Sequence, residues 1–310
     1  MNETSVKEPY ALLFPGQGAH CAQMLDQYKK MADFSEYYQP VCEVLGFSPI
    51  EKIQADATKI NTNLLSSILT LLSSKLALER FRESKLPSCN FYAGYSVGQY
   101  MALHAAGCFD FYELVQVISV RCRLMDSCFQ NVQGAMLAIA GVMPAKVEEF
   151  VGELKTDGYQ IWISNFNCAG QYSLAGEKSA IKEAMLRAQC LNPKKLIELP
   201  VGGAWHCPLL KGSMKAYADF LADRPWKSPT AYVINNVDGE MLPNSSEAIK
   251  HELVEHLSRP VQWERGIRTM IGRGVNKFTE IGYGNVLTKF GFFIDRNLKF
   301  DAFSGQYQEV

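Results

Sequence analysis

Gly94-Tyr95-Ser96-Val97-Gly98 sets a serine midway between two glycines, after the apolar run Phe91-Tyr92-Ala93 and before a segment carrying the small residues Ala102, Ala105 and Ala106. This is the sequence form of a nucleophile elbow: strand, sharp turn, helix. A Cβ two places to either side of such a serine would collide with the strand or the helix start, so glycine is required there. The turn aims the hydroxyl at the positive end of the following helix, where backbone N–H groups can hold a developing oxyanion. The chemistry would be acyl transfer through a serine ester. On this stretch alone, a glycine-rich turn with an idle serine explains the pattern equally well.

A serine nucleophile needs a base, and the chain has five histidines. His251 and His256 fall on a polar helical stretch, Ser246–Leu257, which suits a solvated surface role. His104 lies two helical turns beyond Ser96, ~12 Å along the helix axis, too far to take its proton. His206 follows a strand in the glycine-rich loop Pro200–Pro208, the kind of place where α/β sheets put functional groups. His206 is therefore the expected general base, with His20, at a loop-to-helix junction, next in line.

The elements that must position these residues can be read from periodicity. Tyr10–Phe14 is a buried strand ended by Pro15-Gly16-Gln17-Gly18, a loop without a P-loop lysine or a dinucleotide glycine pattern, which brings Gln17 over a neighbouring site. A helix is expected at Cys21–Lys30, a core helix over 61–84 capped by Asn61 or Thr62, and an amphipathic helix over Phe109–Cys128 bearing Arg121 and Arg123. Arginines among such apolar neighbours ordinarily snorkel to the surface. From Gln133 the order is strand 135–140, helix 145–152, strand 159–164, turn 165–170, strand 171–175, helix 178–189 and strand 195–199. That is the split βαβ of a ferredoxin-like subdomain, inserted into a larger unit. A strand at Tyr232–Asn235, helices at Ser246–Leu257 and Trp263–Gly272, a strand at Lys277–Ile281 and a helix opened by Gly282-Tyr283-Gly284 follow. The fold class is α/β: a parallel-sheet core of 1–132 and 201–310 interrupted by a smaller unit of 133–200.

Composition limits the function. The 310 residues are 47% hydrophobic, enough for a sizeable core, and Lys+Arg 31 against Asp+Glu 32 leaves a net charge of -1. Such a balance offers no electrostatic footprint for nucleic acid or an anionic membrane. Nine cysteines without a C-x-x-C pair suit reduced thiols, Met1–Pro9 is charged rather than apolar, and no run is long enough to span a bilayer. The expected location is the cytoplasm.

The motifs together resemble the malonyl-CoA:acyl carrier protein transacylases, including the discrete acyltransferases that serve polyketide synthases. They are Phe14-Pro15-Gly16-Gln17-Gly18-Ala19, Gly94-Tyr95-Ser96-Val97-Gly98-Gln99, Arg121-Cys122-Arg123-Leu124-Met125, Asn165-Phe166-Asn167 with Gly170-Gln171, Ala175-Gly176, His206, Asn235-Asn236-Val237, Pro260-Val261-Gln262-Trp263 and Glu280-Ile281-Gly282. The resemblance runs over nearly the whole chain. It implies an α/β-hydrolase-like core with a ferredoxin-like subdomain, Ser96 as the acylated nucleophile, His206 as its base, and the backbone carbonyl of Gln262 orienting that base. It further implies an oxyanion hole from the N–H groups of Val97 and Gln17, Arg121 pairing with a malonyl carboxylate, and Trp205, Asn165 and Gln171 beside the substrate. The implied substrate is malonyl-CoA or another coenzyme A thioester, and the partner an acyl carrier protein. No metal and no permanently bound cofactor are implied.

Tyr95, Val97 and Gln99 stand where the family usually has His, Leu and Glu, Tyr283 where it has Pro, and Gly203-Ala204-Trp205 differs from the forms tied to malonyl or methylmalonyl choice. These departures leave a proofreading acyl hydrolase of carrier-bound groups as the alternative, and a non-catalytic docking module as a third reading. A basic rim drawn from Lys194, Lys195, Arg265, Arg268 and Lys289 would receive an acidic carrier protein.

Overall fold

A strand such as Tyr10-Ala11-Leu12-Leu13-Phe14, with no polar face, is stable only when both faces are covered. In the computed structural model, which describes residues 9–83 and 89–305, this run is β1 (Tyr10–Phe14), buried throughout. The charged stretch before Pro9 lies outside the described residues. α1 (Phe34–Leu45), α2 (Pro49–Ala55) and α3 (Asn63–Glu83) follow. α3 is buried almost all round, from Asn63 to Leu78, as a helix with apolar residues on every face must be. Thr62 rather than Asn61 caps it, its Oγ1 accepting from Leu65 N–H at 3.4 Å. Then come β2 (Phe91–Gly94), α4 (Gly98–Ala105) and α5 (Phe111–Ser127), the last capped by Asp110.

The second half of the chain supplies two kinds of strand. β3 (Gly134–Ala140), α6 (Pro144–Thr156), β4 (Ile161–Cys168), β5 (Gln171–Glu177), α7 (Lys178–Arg187) and β6 (Lys195–Glu198) build an antiparallel sheet of order β4-β5-β3-β6. Its own core joins Leu137 and Ile139 to Val147, Phe150 and Leu154 of α6 and to Ile181 and Ala184 of α7. α8 (Lys211–Ala222), β7 (Tyr232–Ile234), α9 (Ser246–Ser258), α10 (Trp263–Gly272), β8 (Lys277–Ile281), α11 (Val286–Ile294) and β9 (Lys299–Phe303) complete a parallel sheet of order β7-β2-β1-β8-β9. Because its strands are parallel, the loops after β1, β2, β7 and β8 leave at one end, where open α/β sheets bind ligands.

Two expectations are corrected, and one strand lies where the sequence reading placed none. Cys21–Lys30 is not an α-helix but a run of turns, because its bonds reach back mostly three residues: Met24 to Cys21, Asp26 to Gln23, Tyr28 to Leu25. The expected turn over 165–170 is shortened, since β4 continues to Cys168. It does so because it gains a second partner: Val261 N–H donates to Ser164 O at 2.8 Å and Phe166 N–H to Val261 O at 2.9 Å, joining the antiparallel sheet to the segment before α10. The strand at 299–303 was not anticipated.

Candidate active site

The elbow forms because nothing but glycine fits around it. A Cβ on Gly94 would stand 2.0 Å from the Gly98 carbonyl carbon, and one on Gly98 would stand 2.2 Å from Phe14 O. Between them Ser96 takes a left-handed backbone with φ of 53°, a strained conformation for any residue with a side chain. Asn236, after β7, holds that turn from both sides: its Oδ1 accepts from Ser96 N–H at 2.8 Å and its Nδ2 donates to Gly94 O at 2.7 Å. Behind Asn236 sits Glu252 of α9, whose carboxyl accepts from Asn236 N–H at 3.2 Å and from Gln99 Nε2 at 2.5 Å. Burial pushes this carboxyl up to about 8.

His206 comes to the serine from the loop after β6, and it too is left-handed, with φ of 57°. Its Nε2 lies 2.6 Å from Ser96 Oγ, and its Nδ1 lies 2.9 Å from the carbonyl of His256. A carbonyl can only accept, so Nδ1 carries the proton and Nε2 presents its lone pair to the hydroxyl. Burial and the Arg121 charge push the ring down to about 3, against the pull of the His256 carbonyl. The ring is neutral at pH 7, the state a base needs.

Two expectations about this base are overturned. The orienting carbonyl belongs to His256, not Gln262: Gln262 O accepts from Gly266 N–H as α10 begins and is already used. Nor is His256 a surface residue. It is buried, and its ring stacks on that of His206 with centroids 4.6 Å apart and planes 19° from parallel. The signal was present in the sequence, since Ile249, Glu252, Leu253, His256 and Leu257 recur at helical spacing and mark the buried stripe of α9.

The other expected residues separate into groups. Arg121 is 2% exposed on α5, its guanidinium 5.5 Å from the centre of the Tyr100 ring, and Nε and Nη2 have no partner among the described residues. Arg123, by contrast, faces outward. Gln17 turns its Nε2 to Asn63, Ser66 and Ser67 of α3 at 2.6–3.1 Å, which fixes the loop whose backbone passes the elbow. Trp205 is buried edge-on to Phe129, its Nε1 without a partner among the described residues. Asn165 and Gln171 bond within the antiparallel sheet, to Ser164 and Cys168, while Asn167 reaches the elbow by accepting from Tyr95 Oη–H at 2.6 Å. His20 Nδ1 accepts from Gly18 N–H. A cleft of about 340 Å³ reaches His206 between Val151 and Lys155 of α6, Trp162 and Phe166 of β4, and Pro208. Of the basic rim, Arg265 and Arg268 are paired with Glu240 and Glu264, and Lys194, Lys195 and Lys289 are exposed. Among the described residues no cluster of His, Cys, Asp and Glu could hold a metal ion, and no helix is long and apolar enough to cross a membrane.

The half-buried Ser96, the buried His206 and the His256 carbonyl line up as acyl transfer through a serine would require. The malonyl CoA-acyl carrier protein transacylase of Escherichia coli strain K12 is 32% identical over 283 residues, 90% of each chain, and that of Bacillus subtilis strain 168 is 30% identical over 296 residues. The chain belongs to the malonyl-CoA:acyl carrier protein transacylase family. No family model matches it. Among solved structures, a malonyl-transacylase in complex with its type II polyketide synthase acyl carrier protein superposes with a TM-score of 0.89 at 29% identity, covering 95% of each chain. The acyl-carrier-protein S-malonyltransferase of Burkholderia pseudomallei gives 0.88 at 28%.

Proposed function

We propose that the protein transfers a malonyl group from coenzyme A to the phosphopantetheine thiol of an acyl carrier protein, through an ester on Ser96. The observation that carries this reading is Arg121. A guanidinium held dry with two unpartnered donors is costly unless a substrate carboxylate completes it, and its planar fork suits one bidentately. A hydrolase of simple acyl chains would leave that charge unpaired, so the hydrolase reading is the weaker one.

The roles follow in order. Ser96 Oγ attacks the thioester carbonyl while its proton passes to His206 Nε2, and the oxyanion is held by the N–H groups of Val97 and Gln17. As the C–S bond breaks, His206 returns the proton to the coenzyme A thiolate. In the second half the carrier thiol gives its proton to Nε2, its sulfur attacks the ester, and the proton goes back to Ser96. The His256 carbonyl keeps the tautomer throughout. Arg121 adds a second preference: its charge depresses His206, and a bound carboxylate would cancel that charge and restore basicity at the moment of acylation. Trp205, Asn165 and Gln171 would border the acyl and pantetheine groups, and Lys194, Lys195 and Lys289 would meet an acidic carrier.

The order of the parallel strands supports an α/β-hydrolase-like core of 1–132 and 201–310, and the β4-β5-β3-β6 order with two covering helices supports a ferredoxin-like unit over 133–200. The chain's own chemistry requires no permanently bound cofactor, and a cytoplasmic location suits its substrates. Incubation with radiolabelled malonyl-CoA tests the whole reading: stable label on the enzyme, passed on only when carrier protein is added, is expected. Rapid release of free malonate would favour the hydrolase, and no label at all would leave a docking module.

A further inference from the structure

The catalytic account uses the carbonyl of His256 and leaves its ring unexplained. That ring is fully buried, neither nitrogen has a partner among the described residues, and a buried polar group without partners costs stability. What the ring does have is a face. It lies almost parallel to His206 at 4.6 Å, within the range at which an aromatic face attracts a cation. Burial, together with His206 and Arg121, drives its own basicity well below that of a free histidine, so the ring stays uncharged when its neighbour takes a proton. Arg121, from α5, is the fixed cation of this pocket; Tyr100 of α4 and Tyr217 of α8, joined by a 2.8 Å hydrogen bond, are held un-ionised by burial, and Glu252 lies one turn back on α9.

We propose that the His256 imidazole is a positioning residue for the base, a neutral aromatic platform that stabilises the charge His206 acquires each time it accepts a proton from Ser96 or from the carrier thiol. The residue then serves twice, its carbonyl fixing the tautomer and its ring face supporting the imidazolium. No carboxylate is needed in that place. The inference rests on the transacylase reading only for the identity of the thiol; the Ser96–His206 step it describes is common to any acyl donor.

The test compares His256→Leu, which removes the aromatic face, with His256→Phe, which keeps a ring without nitrogens; both retain the backbone carbonyl. Single-turnover acylation is followed with malonyl-CoA and, separately, by the burst from p-nitrophenyl acetate, which reports on Ser96–His206 whatever the natural donor is. His256→Leu is expected to slow both by about tenfold with little change in KM, and His256→Phe to recover all but about threefold of that loss. Thermal unfolding identifies a Leu variant that fails to fold, in which case His256→Met, a flexible filler of the same space, takes its place. Leu, Met and Phe variants that all acylate at the wild-type rate would overturn the platform, leaving only packing. A folded Phe variant as slow as Leu would also overturn it, by assigning the effect to the nitrogens. If the ester burst behaves as expected while malonyl-CoA gives no acylation even in the wild type, the fault lies with the malonyl reading and not with the platform.

Discussion

His104 and His206 are held in nearly the same way. His206 is buried and His104 half-buried, each ring meets a backbone carbonyl through Nδ1 at 2.9 Å, His256 for the first and Phe109 for the second, and desolvation is the larger cause that drives them down, to about 3 and about 4. Both are therefore neutral at pH 7 with the same tautomer. Only one faces a serine hydroxyl. His104 sits in regular helix on α4, packed edge-on to Phe111 and near the Lys75–Glu79 pair, whereas His206 has a left-handed backbone that carries its Nε2 to the equally strained Ser96. Burial and an orienting carbonyl prepare a histidine to be a base; under the proposed function, the left-handed backbone opposite a left-handed serine is what lets His206 act as one.

The sharpest way to break this comparison is to exchange the rings for methyl groups. His206→Ala should slow acylation of Ser96 by about 10²–10⁴ and Ser96→Ala should abolish it, read by intact-protein mass after malonyl-CoA is added. His104→Ala should keep acylation within a few-fold. Comparable losses at both positions would mean that His206 acts through the fold rather than through Nε2.

A smaller effect separates the two surroundings. Arg121 bears on His206 as Lys75 bears on His104, but Lys75 is paired with Glu79 while Arg121 has no carboxylate partner among the described residues. Arg121→Ala should cost malonyl-CoA roughly 3–5 kcal/mol, about a hundredfold or more in kcat/KM, while acetyl-CoA holds or improves as His206 regains basicity. Lysine would restore only part, because a point charge cannot reproduce the fork. Equal loss with both donors would make Arg121 structural.

In stability the two histidines should be alike, and this is the smallest effect. A histidine whose folded value lies below its unfolded value binds fewer protons when folded, so stability is intact above about pH 6.5 and falls as pH drops toward the folded value. His104→Gln should remove up to about 3 kcal/mol of that acid-side loss between pH 6.5 and 4, without affecting acylation at pH 7. A variant with an unchanged slope of unfolding free energy in that window would show that His104 already carries its proton in the folded protein.

Much of this was legible in the sequence. Ser96 declares itself through Gly94 and Gly98, because the elbow's sterics are local, and His206 through its loop after a strand. Arg121 looked like a snorkelling arginine until the family pattern assigned it a role, since burial of a helix face depends on what packs there. His256 was missed because the mean polarity of 246–258 hid the stripe through Ile249, Leu253 and Leu257. The carbonyl that orients the base carries no sequence signal at all: every residue has one, and only the fold selects it.

Val261 gives the antiparallel sheet a third attachment. The segment from β3 to β6 joins the rest of the chain covalently at its two ends, but the hydrogen bonds from Val261 N–H to Ser164 O and from Phe166 N–H to Val261 O add a rung between them. Recombination between relatives that exchanged this unit by cutting only at its ends would leave the rung to chance. Because the rung is made of main-chain groups alone, what a workable chimera must preserve is the path of the backbone at Val261, three residues beyond the end of α9, rather than any side chain there.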